Sequence, residues 1–239
     1  MSIVLSMATM ARGQHVTSGK IRYERKLNEH ARMKDYGDDN GSWYDRVKAE
    51  TPKFKISYFD LTFNRAKSLY KPVPNDEVPK TTWTEPATDN VVYTDLVTKQ
   101  VKALKMIYED KFLVEDTMRT MDWKLKDELR TIAGYKCRKA VGVICDSVYV
   151  VAFYAEDIAA SSGPEMFGNL PGMVLEIAIP RLHTTWVATK VELAAVTDAD
   201  MPMPDKGKKV TSKGLSEKIQ TSLKSWGKWG TRNIWLTSL

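Results

Sequence analysis

The chain has 239 residues, 43% hydrophobic and 28% charged, which excludes wholesale disorder and a collagen-like repeat. No run of about 18 apolar residues occurs, so no helix of this sequence spans a membrane. The net charge of +6 sits in Asp205–Asn233, which holds eight basic and two acidic residues; the rest is balanced, and this argues against a basic nucleic-acid-binding face on the main body.

Ser2–Met10 is apolar or small and is followed by Ala11, Arg12, Gly13 and Gln14. Its length suits the apolar core of a secretory signal, with small residues Ala11 and Gly13 before a cut at Gln14. The basic start of such a signal is missing. Residues 1–13 therefore read as a truncated export signal, with a buried first strand as the alternative. The first reading places the protein in the periplasm or cell envelope.

Gly19–Leu27 alternates Ile21, Tyr23 and Arg25 against Arg22 and Glu24, the period of a strand. Residues 28–53 are polar, turn at Asp38–Gly41, and allow a short helix from Ser42. Phe54–Phe63 and Ala66–Tyr70 are strands across an Asn64–Arg65 turn. Residues 71–86 hold Pro72, Pro74, Pro79 and Pro86 and form a loop, because proline cannot serve a central strand. Asn90–Leu96, Gln100–Tyr108 and Lys111–Asp116 follow as a meander. Trp123–Leu125, Ile132–Ile144 and Ser147–Ala155 continue it, and 156–170 is a loop of small residues. Leu170–Ile179 and His183–Val196 are the last strands. A break at Met201–Pro204 precedes one amphipathic helix, Ser212–Trp229, with Leu215, Ile219, Leu223 and Trp226 on a stripe.

The predicted fold is mostly β: a strongly curved antiparallel sheet or incomplete barrel of eight to ten strands, with one C-terminal amphipathic helix. The predicted organisation is a signal at 1–13, a β domain at 18–200 and a basic helix or tail at 205–239. The tail's Trp226, Trp229 and Trp235 among lysines raise contact with nucleic acid, lipid or glycan; a solvated amphipathic helix is the plainer reading.

Cys137 and Cys145 are eight apart, on a strand that turns near Cys145–Asp146. That separates them by about 25 Å at ~3.3 Å per residue, too far for a disulfide, so both thiols are expected to be free. The three histidines, His15, His30 and His183, have no metal-ligand spacing, and neither a metal nor a cofactor is expected. No nucleophile elbow, phosphate loop or dinucleotide fingerprint occurs. Glu176 interrupts the apolar run Met173–Ile179 and reads as the outward position of a half-buried strand. A Cys137–His183 pair has no support in the spacing.

Two stretches carry a family resemblance: Trp123–Ala140, and Val150–Ile158 followed by Ser162-Gly163-Pro164 and Phe167–Leu175. They resemble the GLPGLI family of Bacteroidetes envelope proteins, whose name hexapeptide reads Asn169-Leu-Pro-Gly-Met-Val174 here. Asn replaces its first glycine, which matters only if that position needs positive φ. Phe153 stands where a tryptophan is usual. The resemblance implies an exported envelope protein with no defined chemistry. It marks Tyr154, Gly163, Pro164, Phe167, Gly168, Leu170, Pro171 and Gly172 as a binding loop, or as residues that only pin a turn and a strand register.

The function expected from this reading is a non-enzymatic carrier that holds an apolar ligand, or a partner's segment, on the concave sheet face. An assembly factor for an outer-membrane transport system is the first alternative. A hydrolase built around Cys137, His183 or Glu176 is the second.

Overall fold

The computed structural model describes residues 16–36, 42–74 and 85–239. The expected signal at 1–13 and most of the proline-rich loop at 71–86 lie outside the described residues. Period-2 alternation produces a single sheet. Its strands are β1 (Gly19–Asn28), β2 (Phe54–Phe63), β3 (Lys67–Pro72), β4 (Val91–Asp95), β5 (Gln100–Ile107), β6 (Asp110–Thr117), β7 (Lys124–Ile132), β8 (Tyr135–Ile144), β9 (Val148–Ala155), β10 (Met173–Ile179), β11 (Thr184–Leu193) and β12 (Lys208–Val210). The spatial order is β12-β6-β5-β4-β3-β2-β1-β11-β10-β9-β8-β7.

The fold is mostly β, as expected, and the sheet does not close, since β12 and β7 are its two ends. Among the described residues it has twelve strands, not eight to ten, and it is mixed because β12 runs parallel to β6. The single C-terminal helix is two, α3 (Ser212–Leu223) and α4 (Gly227–Thr237), and α1 (Glu29–Tyr36), which was not expected, precedes α2 (Ser42–Glu50), the short helix that Ser42 was expected to begin. The expected run breaks between Leu223 and Gly227, and Gly227, the first residue of α4, takes a left-handed φ of +53° that lets the chain start a second helix. Residues 126–131, left between the expected strands Trp123–Leu125 and Ile132–Ile144, belong to the edge strand β7.

One sheet face carries the core. Tyr23 on β1 faces Phe59 on β2 and Ala188 on β11 across the ladder. Phe59 stacks on Tyr70 at 4.9 Å, and Trp186 is fully buried beside them. Each such side chain removed from water stabilises the fold by roughly 1.5–3 kcal/mol. Because the sheet is open, this face needs a cover. The loop between β9 and β10 supplies part of it: Pro164, Met166, Phe167 and Leu170 are buried. Leu215, Ile219 and Leu223 of α3 and Leu236 of α4 supply the rest. Thr211 caps α3 by accepting a hydrogen bond from the Gly214 N–H at 3.1 Å.

The opposite face has its own small cluster of Leu69, Tyr93 and Met201 under the 196–204 segment. Glu176, expected outward, lies on a buried strand and accepts both 2.8 Å bonds from Arg130 Nη1, while the Arg130 guanidinium lies 4.3 Å above Phe153.

Gly172 joins the loop to β10 with φ of +153°, and a Cβ there would stand 2.1 Å from the Ala155 carbonyl oxygen. Gly172→Ala is expected to lower stability by about 1–3 kcal/mol, the usual cost of a strained backbone position, or more if β9 cannot shift. Urea unfolding of the two proteins measures it, and Asn169→Gly, at a position whose φ is +60°, serves as the mild control.

Candidate functional site

The covered face encloses a polar cluster. Glu165, in the buried loop, accepts hydrogen bonds from Asn90 Nδ2 at 2.8 Å and the Tyr70 hydroxyl at 3.4 Å. Burial pushes the Glu165 carboxyl up from its ordinary range, opposed by the Asn90 bond and the nearby cations. Burial, then Glu165, holds the Tyr70 phenol well above its usual value. Arg25 donates to the Ala87 carbonyl at 2.6 Å and lies 5.3 Å over Trp186. Lys105 Nζ donates to the Thr237 carbonyl at 2.9 Å. Burial first, and Arg119 second, lower its pKa to about 7. These groups tie the loop, the sheet and α4 together and are shut away from solvent.

An open cleft of about 440 Å³ lies at the other end of the sheet, over β7, β8 and the end of β9. The antiparallel register sets its floor: Arg138 on β8 pairs with Tyr154 on β9 and Leu129 on β7. Asp127, Lys136, Glu156 and Asp157 complete the lining. Arg138 is fixed by donating Nε to the Lys126 carbonyl at 2.9 Å and Nη2 to Asp127 Oδ1 at 3.0 Å. The Tyr154 hydroxyl donates to Glu156 Oε1 at 3.4 Å, and burial, then Glu156, raises its pKa. Three carboxylates and two cations around one depression suit a ligand rich in hydroxyl and amide groups.

The residues named from sequence do not share one place. Tyr154 lines the cleft. Gly163, Pro164, Phe167, Gly168, Leu170 and Gly172 are buried in the covering loop, and Pro171 is exposed. Trp123 Nε1 donates to the Gly168 carbonyl at 3.0 Å and Ser161 Oγ to the Leu170 carbonyl at 2.6 Å, so the loop is pinned along its length. Cys137 and Cys145 are free thiols, as the spacing implied, and burial pushes Cys137 up to about 11, unsuited to a nucleophile. His183 bonds Asp35 Oδ2 at 2.8 Å, and Glu176 is held by Arg130, so the thiol-centred hydrolase has no assembled site. No group of three metal-ligating side chains occurs among the described residues.

Sequence reasoning missed Lys105 and the Arg138 cleft. A signal for Lys105 exists: it falls in phase with Val101, Ala103 and Ile107, the inward side of β5. The cleft draws on residues from 127 to 157 that only the register brings together.

An open, mostly β sheet covered by its own loop and helices, with a polar cleft at one end, is thus the class of domain. Residues 78–212 match the family described as N-glycanase peptide, N-terminal domain, and the chain belongs to that family. The fold is similar to that of the solved structure of PNGF-II in space group C2, with a TM-score of 0.55 at 16% identity over 86% of this chain and 33% of that one. PNGF-II in space group P21 gives 0.53 at 17% identity over 84% and 32%. The chain therefore spans about a third of the length of these structures. No curated protein matches it.

This membership overturns the GLPGLI resemblance, since both stretches that suggested it lie inside the matched range. Their glycines and prolines answer to packing: a loop buried against Val174 and Ala155 has no room for side chains at Gly163 and Gly172. The non-enzymatic carrier and the absence of enzyme function fall with it, because the matching family is named for N-glycanases. The hydrolase alternative is the better supported one. Among the described residues no helix is long and apolar enough to cross a membrane.

Lys105 also makes a stability prediction. Its pKa is about 7 in the folded chain and near 10.5 ordinarily, so between these values the unfolded state holds more protons. Stability should therefore rise from pH about 7 to about 9, with the full burial penalty present below that window. Urea midpoints across the window should show this rise, and Lys105→Met should flatten it.

Proposed function

We propose that this chain acts as the N-terminal domain of an exported hydrolase that releases N-linked glycans from peptide, and that the cleft formed by Arg138, Tyr154, Glu156 and Asp157 receives the glycopeptide. The single observation that carries the reading is the family match over residues 78–212, within which every cleft residue falls. The chemistry of the cleft supports it. Pyranose hydroxyls and the N-acetyl amide need donors and acceptors in close alternation, which Arg138, Lys136 and the carboxylates provide. Leu129, which is exposed, offers an apolar surface for the less polar face of a sugar, while the Tyr154 ring is buried below the cleft surface. The cleft is open to solvent, whereas the Glu165 cluster is closed, so a chain as large as a glycopeptide has access to the first alone.

The assay incubates the purified protein with an N-glycopeptide and with the same peptide lacking its glycan. Calorimetry reads binding, and mass spectrometry reads released glycan. The expected result is selective binding of the glycopeptide, weakened about tenfold in Arg138→Ala through loss of a charge-assisted hydrogen bond. Equal binding of both peptides, with no glycan released, would sink the proposal. Selective binding that Arg138→Ala leaves unchanged would move the site away from this cleft.

A further inference from the structure

We propose that a second pocket, lined by the sheet, the β8–β9 turn and the two C-terminal helices, binds a tetrahedral oxyanion such as sulfate or phosphate. It is separate from the glycopeptide cleft and does not depend on that reading. Its volume is about 310 Å³. Lys105 and Arg119 line it from the sheet side, Ser212 and Ser216 from the first turns of α3, and Thr237 and Ser238 from the end of α4. No acidic side chain lines it.

Each cation has a backbone carbonyl as its partner. Lys105 donates to Thr237, and Arg119 Nη2 donates to Ser238. A carbonyl satisfies a donor but brings no full negative charge to balance it. Arg119 Nη1 is buried with no hydrogen-bond partner among the described residues, and its guanidinium lies 5.9 Å from the Phe167 ring. The buried Glu165 carboxylate offsets part of the charge of Lys105, but no carboxylate offsets that of Arg119, and Asp116 is taken up by the Ser212 and Thr117 N–H groups. Two buried like charges destabilise one another, and the lowered affinity of Lys105 for its proton is one sign of it. An anion of two charges would neutralise the pair, while the Ser216 hydroxyl, which accepts from Gln220 Nε2, keeps its proton to donate to an anion oxygen. The pocket exceeds the size of a free oxyanion, so the group could arrive alone or as an ester on a sugar.

Thermal unfolding of the whole chain tests this, in sodium sulfate, in sodium phosphate and in sodium chloride of equal ionic strength. Oxyanion concentrations stay at about 10 mM or below, where sulfate does not act by exclusion from the surface. A saturable rise in Tm with sulfate or phosphate, absent with chloride, is expected. Arg119→Gln should weaken the fitted affinity about tenfold, the loss expected for a charged donor. Because Arg119→Gln also releases α4, Ser216→Asp is the second variant: it places a negative charge at the pocket wall without touching either cation, and should abolish the shift. N-acetylglucosamine 6-sulfate separates the sources: tighter binding than inorganic sulfate assigns the site to a sulfated sugar, and exclusion of the ester assigns it to the free ion. No saturable shift with either inorganic oxyanion, or an undiminished shift in Ser216→Asp, overturns the proposal.

Discussion

Keeping one face of an open sheet dry is the condition on which the rest of this structure depends. A closed barrel has an inside of its own; a sheet that ends at β12 and β7 does not. The face bearing Tyr23, Phe59, Tyr70 and Trp186 must therefore be covered by the same chain. The 156–172 loop and helices α3 and α4 do this. A loop and two helix ends bring backbone carbonyls into the interior, and carbonyls there need donors. Lys105, Arg119 and Arg232 are those donors, reaching Thr237, Ser238 and Leu182. The cations in the core follow from the cover, and the pocket beside Lys105 and Arg119 is a by-product of meeting that need with side chains of fixed charge.

The cleft owes its exposure to the same arrangement. The cover reaches across the sheet from β6 to β10 but leaves the β7 end bare, and β7 itself is exposed along all but its last residue. There Arg138 and Lys139 pair with Asp127 and Glu128 across the strand. Such exposed pairs add little stability, typically under about 1 kcal/mol each. Their effect is to set opposite charges close together along the strand, the first pair in the cleft and the second outside it, which keeps an exposed edge strand from offering a uniform apolar border to another sheet.

Much of the strand order was legible because alternation survives wherever one face is buried. β2 was read from Phe54 to Phe63 to the residue, and β1, β5 and β9 to within one residue at each end. The misses have physical causes. β7 has both faces in water, so Lys124–Arg130 shows no alternation to read. β12 is three residues long and is held by the parallel edge of β6. α1 is short and polar and rests on its neighbours. The site was harder to read than the fold. Glu165 and Asn90 are 75 residues apart, and Lys105 bonds a carbonyl 132 residues away. A charged residue in a strand is ordinarily taken to face water, and Arg25 and Lys105 do the opposite although their phase says so. The family resemblance misled for a related reason: the motif reports how a loop is buried, and burial of that kind is a property of packing more than of one lineage.

The pairing of β1 with β11 has a further consequence for how the chain is made. Gly19 meets Leu193 and Leu27 meets Thr184, so the two strands lie more than 150 residues apart in sequence yet share a ladder at the middle of the sheet. Contacts of such separation are slow to form, because the intervening chain must first be ordered. During synthesis β1 can pair with β2 soon after both have emerged, and β3 to β6 can extend that half outward. The other edge of β1 stays unpaired until β11 has left the ribosome, and α3 and α4 come later still. A half-sheet with two raw edges, β1 awaiting β11 and β6 awaiting β12, and an uncovered apolar face thus precedes the finished fold, and it is the form in which this chain is most open to chaperones and to aggregation.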